Sequence, residues 1–249
     1  MDLSSFLKYT GFNKSSANGK GIGIAIIDSG CNSKNDNIVF SFNAYSKTNN
    51  VQDRYGHGSH IYDIINYVAP KSDYYIFKGM DDFGDGDARA IYESLIRCKN
   101  NDGIHIICLS LSSFHDSKAI RKIINECLGK GKVIVSSLGN DSTNKPTFPS
   151  GIDGVYSVGA LDRSLEKRYE KSNYSNSTSF VALGEGVMGQ NGTSFANAIV
   201  IGQIAIIMSD NNIYHNPSYE YFKKYFHSSN RTMDMANGLL YNKQEERND

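Results

Sequence analysis

The chain has 249 residues, and its 26 Lys+Arg balance 26 Asp+Glu, so the formal net charge is zero. That length is enough to bury a sizeable core, while the charge balance argues against nucleic acid or an anionic membrane surface as a partner. No apolar run reaches the ~20 residues of a membrane span, and the opening MDLSSFLKYTGF lacks the basic start and apolar stretch of a secretory signal. Cys31, Cys98, Cys108 and Cys127 are widely spaced and form no C-x-x-C pair. This predicts free, buried thiols and a reducing, cytoplasmic setting, with secretion left open if the sequence is a fragment.

In chain order, GIGIAIID (21–28) reads as a buried strand and HGSHIYDIINYV (57–68) as a helix. DYYIFKGM (73–80) is a second strand. Asp87 is placed to cap the helix that begins ARAIYESLIRC. IHIICLSL (104–111) is a third strand, followed by a helix SKAIRKIINECLGK that Gly129 is expected to close. KVIVSSLG (132–139) and GVYSVGAL (154–161) are further strands. A polar stretch leads to a long apolar helix near Ser194, for which Thr193 or Asn191 could supply the cap. Residues 211–249 are polar, with one helix expected near 218–226 and a tail. Continuous apolar strands alternating with helices predict an α/β fold: a mostly parallel sheet flanked by helices on both faces, in three layers. With no linker or repeat in view, one domain is expected, its core spanning about 18–208.

In such sheets ligands bind at the carboxyl ends of the strands. Asp28 ends the first strand, His57 opens a helix, Asn140 follows the fourth strand and Ser194 begins the long helix. These four polar residues, remote in sequence, are predicted to share one edge. They also form a chemical set. A serine hydroxyl needs a base, a histidine serves as one near neutral pH, and a buried carboxylate fixes its tautomer. A helix N-terminus and an amide side chain can donate to an oxyanion.

IIDSG, GHGSH and NGTSFA resemble the three signature segments of the subtilisin-like serine proteases, in the order Asp, His, Ser. VAP (68–70), ICLSLSS (107–113), SSLGND and FPSGIDGVYSVGA (148–160) resemble further segments of that family, and the likeness covers roughly residues 18–208. It implies a subtilisin-like fold and a serine endopeptidase acting on peptide or protein substrates. Asp28 would orient the base, His57 would be the base and Ser194 the nucleophile, with Asn140 and the Ser194 amide as oxyanion donors. Ser110, Leu111 and Ser112 would line the substrate channel opposite Gly84, Asp85 and Gly86, and Gly139 would join the substrate-binding set. A peptide would add between the two edges as a strand.

Four departures qualify the likeness. Tyr62 and Asp63 stand where the family carries small residues. The usual Pro and His after the nucleophile are missing from GTSFANAIVIG, and Ser112 replaces a glycine. The resemblance leaves calcium open as a ligand, but the segment between His60 and Val68 is short for the loop that binds it in many relatives, so no cofactor is expected. These departures keep open a second reading, a pseudo-protease that binds a peptide or partner without cutting it. A metal at His57-x-x-His60 is disfavoured because no third ligand is in view. Asp81, Asp82, Asp85 and Asp87 read either as a solvated loop with a helix cap or as a negative rim favouring Lys or Arg in the substrate, one to three residues before the cut.

Overall fold

The computed structural model describes residues 1–14, 16–225 and 240. Seven strands form one fully parallel sheet: β1 (Gly23–Asp28), β2 (Ile38–Asn43), β3 (Asp73–Lys78), β4 (Ile106–Leu109), β5 (Val133–Ser137), β6 (Tyr156–Leu161) and β7 (Phe180–Leu183), in the spatial order β2-β3-β1-β4-β5-β6-β7. A separate antiparallel hairpin pairs β8 (Glu185–Val187) with β9 (Gln190–Asn191). The helices are α1 (Leu3–Tyr9), α2 (His57–Val68), α3 (Ala88–Lys99), α4 (Lys118–Gly129), α5 (Thr193–Asp210) and α6 (Tyr219–Lys223).

Every residue of β1 is buried, because the pleat sends alternate side chains into two different cores. Ile24 and Ile26 join Val133 and Val135 in a cluster with Ile61 and Ile65 of α2 and Ile199, Ile201 and Ile204 of α5. Ala25 and Ile27 join Ile107 and Ile134 in a cluster with Leu95 and Cys98 of α3 and Ile123, Ile124 and Cys127 of α4. The result is the three-layer arrangement expected from sequence. Helix α5 is apolar all round and long enough by composition to cross a membrane, yet 89% of it is buried inside the protein. An all-apolar helix is what the centre of a core layer requires.

The chain visits β3 on one side of β1 and then crosses to β4 on the other. That reversal opens a crevice at the carboxyl ends of β1 and β4, and Asp28 and Ser110 stand beside it.

Some boundaries differ from expectation. Helix α4 is closed by Lys130 as C-cap, and the left-handed residue is Gly131 rather than Gly129. Neither Thr193 nor Asn191 caps α5: Gly192 is the N-cap and Thr193 already the first helical residue. Helix α6 is shorter than the expected 218–226, whose last residue lies outside the described residues, as does most of the expected tail. Strands β2 and β7 and helix α1 gave no clear sequence signal. Strand β2 is a half-exposed edge strand with a register shift. Strand β7 has four residues after an Asn/Ser-rich stretch. Helix α1 is short, capped by Asp2, and buries Leu3, Phe6 and Leu7 in the first cluster.

Candidate active site

Asp28 is the last residue of β1 and only 1% exposed. Its Oδ1 accepts from the Ser29 amide at 2.7 Å and from His57 Nδ1 at 2.8 Å. Because a carboxylate only accepts, Nδ1 of a neutral His57 must carry the proton, which leaves Nε2 as a basic lone pair. Asp28 Oδ2 is buried and has no hydrogen-bond partner among the described residues, so its charge is poorly screened beside the imidazole.

His57 occupies the first position of α2, whose N-cap, Gly56, offers no side-chain cap. Asp53 takes over that task. This buried carboxylate accepts from the Gly56 amide at 2.7 Å and from the Ser59 amide and hydroxyl at 2.8 and 2.7 Å. Ser29 adds a second tie, its Oγ accepting from the Gly58 amide at 2.9 Å. A Cβ on Gly58 would lie 2.3 Å from the Gly30 carbonyl, so only glycine lets α2 start this close to the end of β1. Burial pulls the His57 pKa down, but the charge of Asp28, its hydrogen bond and the charge of Asp53 together raise it above its ordinary value of 6.5.

Ser194 is the second residue of α5 and is largely buried. Gly192, at φ 139°, makes the turn into the helix, a conformation that a side chain would strain. Its amide bonds the Gly184 carbonyl at 2.7 Å, anchoring the turn that carries Ser194 to the end of β7. The His57 ring lies 5.6 Å from that of Phe195, next to Ser194. The Ser194 hydroxyl donates to the Ser110 carbonyl at 3.4 Å, and Ser110 Oγ donates to the Ser194 carbonyl at the same distance. The structure therefore joins Asp28 to His57 directly and holds Ser194 Oγ on Ser110. Catalytic hydrogen bonds in substrate-free enzymes often form fully only when substrate arrives.

Asn140 lies beyond the end of β5, in a loop fixed by Asn173. Asn173 Oδ1 accepts from the Asp141 and Thr143 amides at 2.8 and 3.1 Å, and Asn173 Nδ2 donates to the Leu138 carbonyl at 3.1 Å. Asn140 Oδ1 accepts from the Thr193 amide at 2.9 Å and from its hydroxyl at 3.2 Å. An amide N–H can bond only to the oxygen, so Asn140 Nδ2 is left as a donor without a partner among the described residues. With the Thr193 amide occupied, the Ser194 amide is left as a first-turn donor of α5 without a partner among the described residues.

A cleft of about 390 Å³ runs from this centre, lined by Tyr55 and His57, by Met80, Gly84, Asp85, Gly86 and Ile91, and by Ser110, Leu111, Ser112 and Ser113. Six of the seven residues expected to bind substrate therefore share one cleft with His57. Gly139 does not line it. Its amide donates to Thr193 Oγ1 at 3.3 Å and its carbonyl accepts from the Asn173 amide at 2.9 Å, so it braces the Asn140 loop from behind. The backbone groups of Leu111 and Ser112 make no hydrogen bond to the described residues, which leaves an extended edge open.

Tyr55, Asp53 and Asn173 were not singled out from sequence. The aromatic just before GHGSH was a visible hint for Tyr55. The other two belong to Asn- and Asp-rich stretches where nothing marks one polar residue above its neighbours. One of the departures, Tyr62, acquires a structural explanation. Tyr62 is fully buried, its hydroxyl donating to Asn37 Oδ1 at 2.8 Å and accepting from Asn35 Nδ2 at 2.9 Å. Asn197, also fully buried, donates from Nδ2 to Ser110 Oγ at 3.1 Å.

A family model described as the Subtilase family matches residues 19–235. The chain is 31% identical over 160 residues to the Minor extracellular protease Epr of Bacillus subtilis (strain 168), which covers 60% of this chain and 25% of that protein. It is 27% identical over 242 residues to the M-protease of Shouchella clausii (strain KSM-K16), covering 90% of this chain and 62% of that one. Against Subtilisin Savinase of Lederbergia lenta it is 27% identical, covering 90% and 87%. The chain thus spans a quarter of the length of the first of these relatives and less than two thirds of the second. A solved structure described as a cold adapted subtilisin-like serine proteinase superposes with a TM-score of 0.83 at 20% identity, covering 92% of this chain and 91% of that one, a likeness of fold.

Proposed function

The chain belongs to the subtilase family, and from that premise we propose that it is a serine endopeptidase working through an acyl-enzyme intermediate. Ser194 Oγ attacks the scissile carbonyl while His57 Nε2 takes its proton. Asp28 holds the imidazole in the Nδ1–H tautomer and stabilises the imidazolium that forms. The oxyanion accepts from the Ser194 amide and from Asn140 Nδ2. His57 then protonates the leaving amine, and water repeats the sequence on the acyl-enzyme. The peptide lies in the cleft as an added strand between 84–86 and 110–112. The observation that carries this reading is the buried 2.8 Å bond between Asp28 and His57, at the crevice where α5 presents Ser194.

Among the described residues, no group of three or more His, Cys, Asp or Glu is arranged to hold a metal ion. The test is a proteome digest with the wild-type protein and with Ser194→Ala, read by mass spectrometry of new termini. Cleavages that vanish in the variant support the reading, and a narrow set of sites would mark a processing protease. Identical profiles overturn it. The hydrogen bond of Ser194 Oγ to Ser110 favours one alternative, a pseudo-protease that binds peptides without turnover. That alternative predicts peptide affinity with no Ser194-dependent cleavage.

A further inference from the structure

The acidic run 81–87 resolves into four different environments. Asp81 Oδ1 accepts from the Phe83 and Asp85 amides at 2.8 and 3.0 Å and so shapes the loop. Asp82 is paired with Arg54 at 3.3 Å and with Lys78 at 3.0 Å. Asp87 caps α3 through the Arg89 and Ala90 amides at 2.7 and 2.9 Å. The exposed Asp85 carboxylate makes no hydrogen bond or ion pair to the described residues, and it lines the cleft. Apart from His57, every other lining residue is uncharged, and no lysine or arginine lines the cleft among the described residues. Two cations beside the loop, Arg54 and Lys78, are already held by Asp82. The remaining walls are Tyr55, Met80, Ile91 and Leu111, which suit the aliphatic stem of a long side chain.

We propose that Asp85 is a specificity-determining residue that selects substrates carrying a lysine or arginine within three residues of the scissile bond. This rests on the protease reading for the word substrate, but the contact itself needs only a peptide in the cleft. A strand advances about 3.3 Å per residue with alternate side chains on one face. A peptide strand paired along 84–86 therefore sets one or two of its side chains beside Asp85. The carboxylate then replaces part of the hydration that a neutral cleft would strip from the cation.

The experiment uses the Ser194→Ala protein, so that binding is measured without turnover. Paired peptides carry either Lys or an uncharged norleucine at each position on both sides of a central bond. Expected is a preference of about two- to fivefold for Lys at one or two positions, as for a partly exposed ion pair. The preference should shrink as salt is raised and disappear in Ser194→Ala/Asp85→Asn. A Lys preference that survives Asp85→Asn, or no preference at any position, overturns the proposal. A cleavage-site library run with the active protein separates the two levels. Ser194-dependent cuts without basic enrichment would sink the role of Asp85 and leave the protease reading standing. An Asp85-dependent preference in binding with no cuts at all would do the reverse.

Discussion

The two sides of the cleft are built in opposite ways. On the side of His57 and Ser194, Asp28, Asp53, Ser29 and Asn140 each hold an amide or side chain of another segment, and Asp28 and Asp53 are almost fully buried. Across the cleft, Leu111 and Ser112 leave their backbone groups open among the described residues, and Phe83 beside the opposite edge is 83% exposed. The first side fixes the tautomer of His57 and the start of α2 through buried hydrogen bonds. The second leaves hydrogen-bonding capacity for something outside the chain. Preorganised chemistry beside an unsatisfied edge is the division of labour expected of an enzyme acting on a polymer.

The comparison is best broken on its rigid side first. Asp28→Asn should lower kcat about 10⁴-fold, the magnitude known for the equivalent change in serine proteases, because the amide can donate to Nδ1 and hold the wrong tautomer. Steady-state kinetics on a peptide would show it, and a loss under tenfold would mean that His57 does not depend on this bond. Asn140→Ala should cost about 10²- to 10³-fold in kcat with KM little changed, by analogy with the oxyanion asparagine of subtilisin, from which that figure comes. Asn140→Asp sharpens the point. It keeps an acceptor for the Thr193 amide but loses the donor, so kcat should fall at least as far while the helix start stays anchored.

Tyr62 tests whether the family departures belong to the chemistry or to the scaffold. Tyr62→Phe removes one hydroxyl with two partners, at a cost of about 1 kcal/mol. That should lower Tm by about 2–4 °C in a chain of this size and leave kcat/KM alone. A large fall in kcat/KM would place Tyr62 in the working site.

The smallest effect concerns pH. His57 must be neutral to act as a base, and its pKa lies above 6.5. Activity should therefore fall as pH drops through a value higher than that of an ordinary histidine. The same shift adds folding stability that is fully present below the unfolded-state pKa and is lost as pH rises through the folded-state one. Asp53→Asn removes one of the charges raising it, so the acid limb of kcat/KM should move to lower pH. An unmoved limb would show that the Asp53 charge does not reach the imidazole.

Much of this was legible from sequence, for a physical reason. The buried strands β1, β4 and β5 must be continuous apolar runs because both faces are covered, and Gly58 and Gly192 stand where a Cβ would collide or a backbone angle would strain. Short-range constraints of that kind leave motifs. The supports left none. Asn173 reaches back to the Asn140 loop across about thirty residues, and Asp53 caps a helix from outside it. Such partnerships depend on tertiary placement, and a polar stretch offers many equivalent candidates. The edge strand β2 escaped for a related reason, since only one of its six residues is buried and the period is blurred. The four aspartates of 81–87 could not be told apart until their partners were seen.

The central claim is that His57, oriented by Asp28, makes the hydroxyl of Ser194 nucleophilic. Incubation of the folded protein with a fluorophosphonate probe tests it most directly. The account predicts one covalent adduct, on Ser194, absent from Ser194→Ala and greatly slowed in Asp28→Asn. A folded wild-type protein that takes up no probe, or one that is labelled elsewhere, would contradict it.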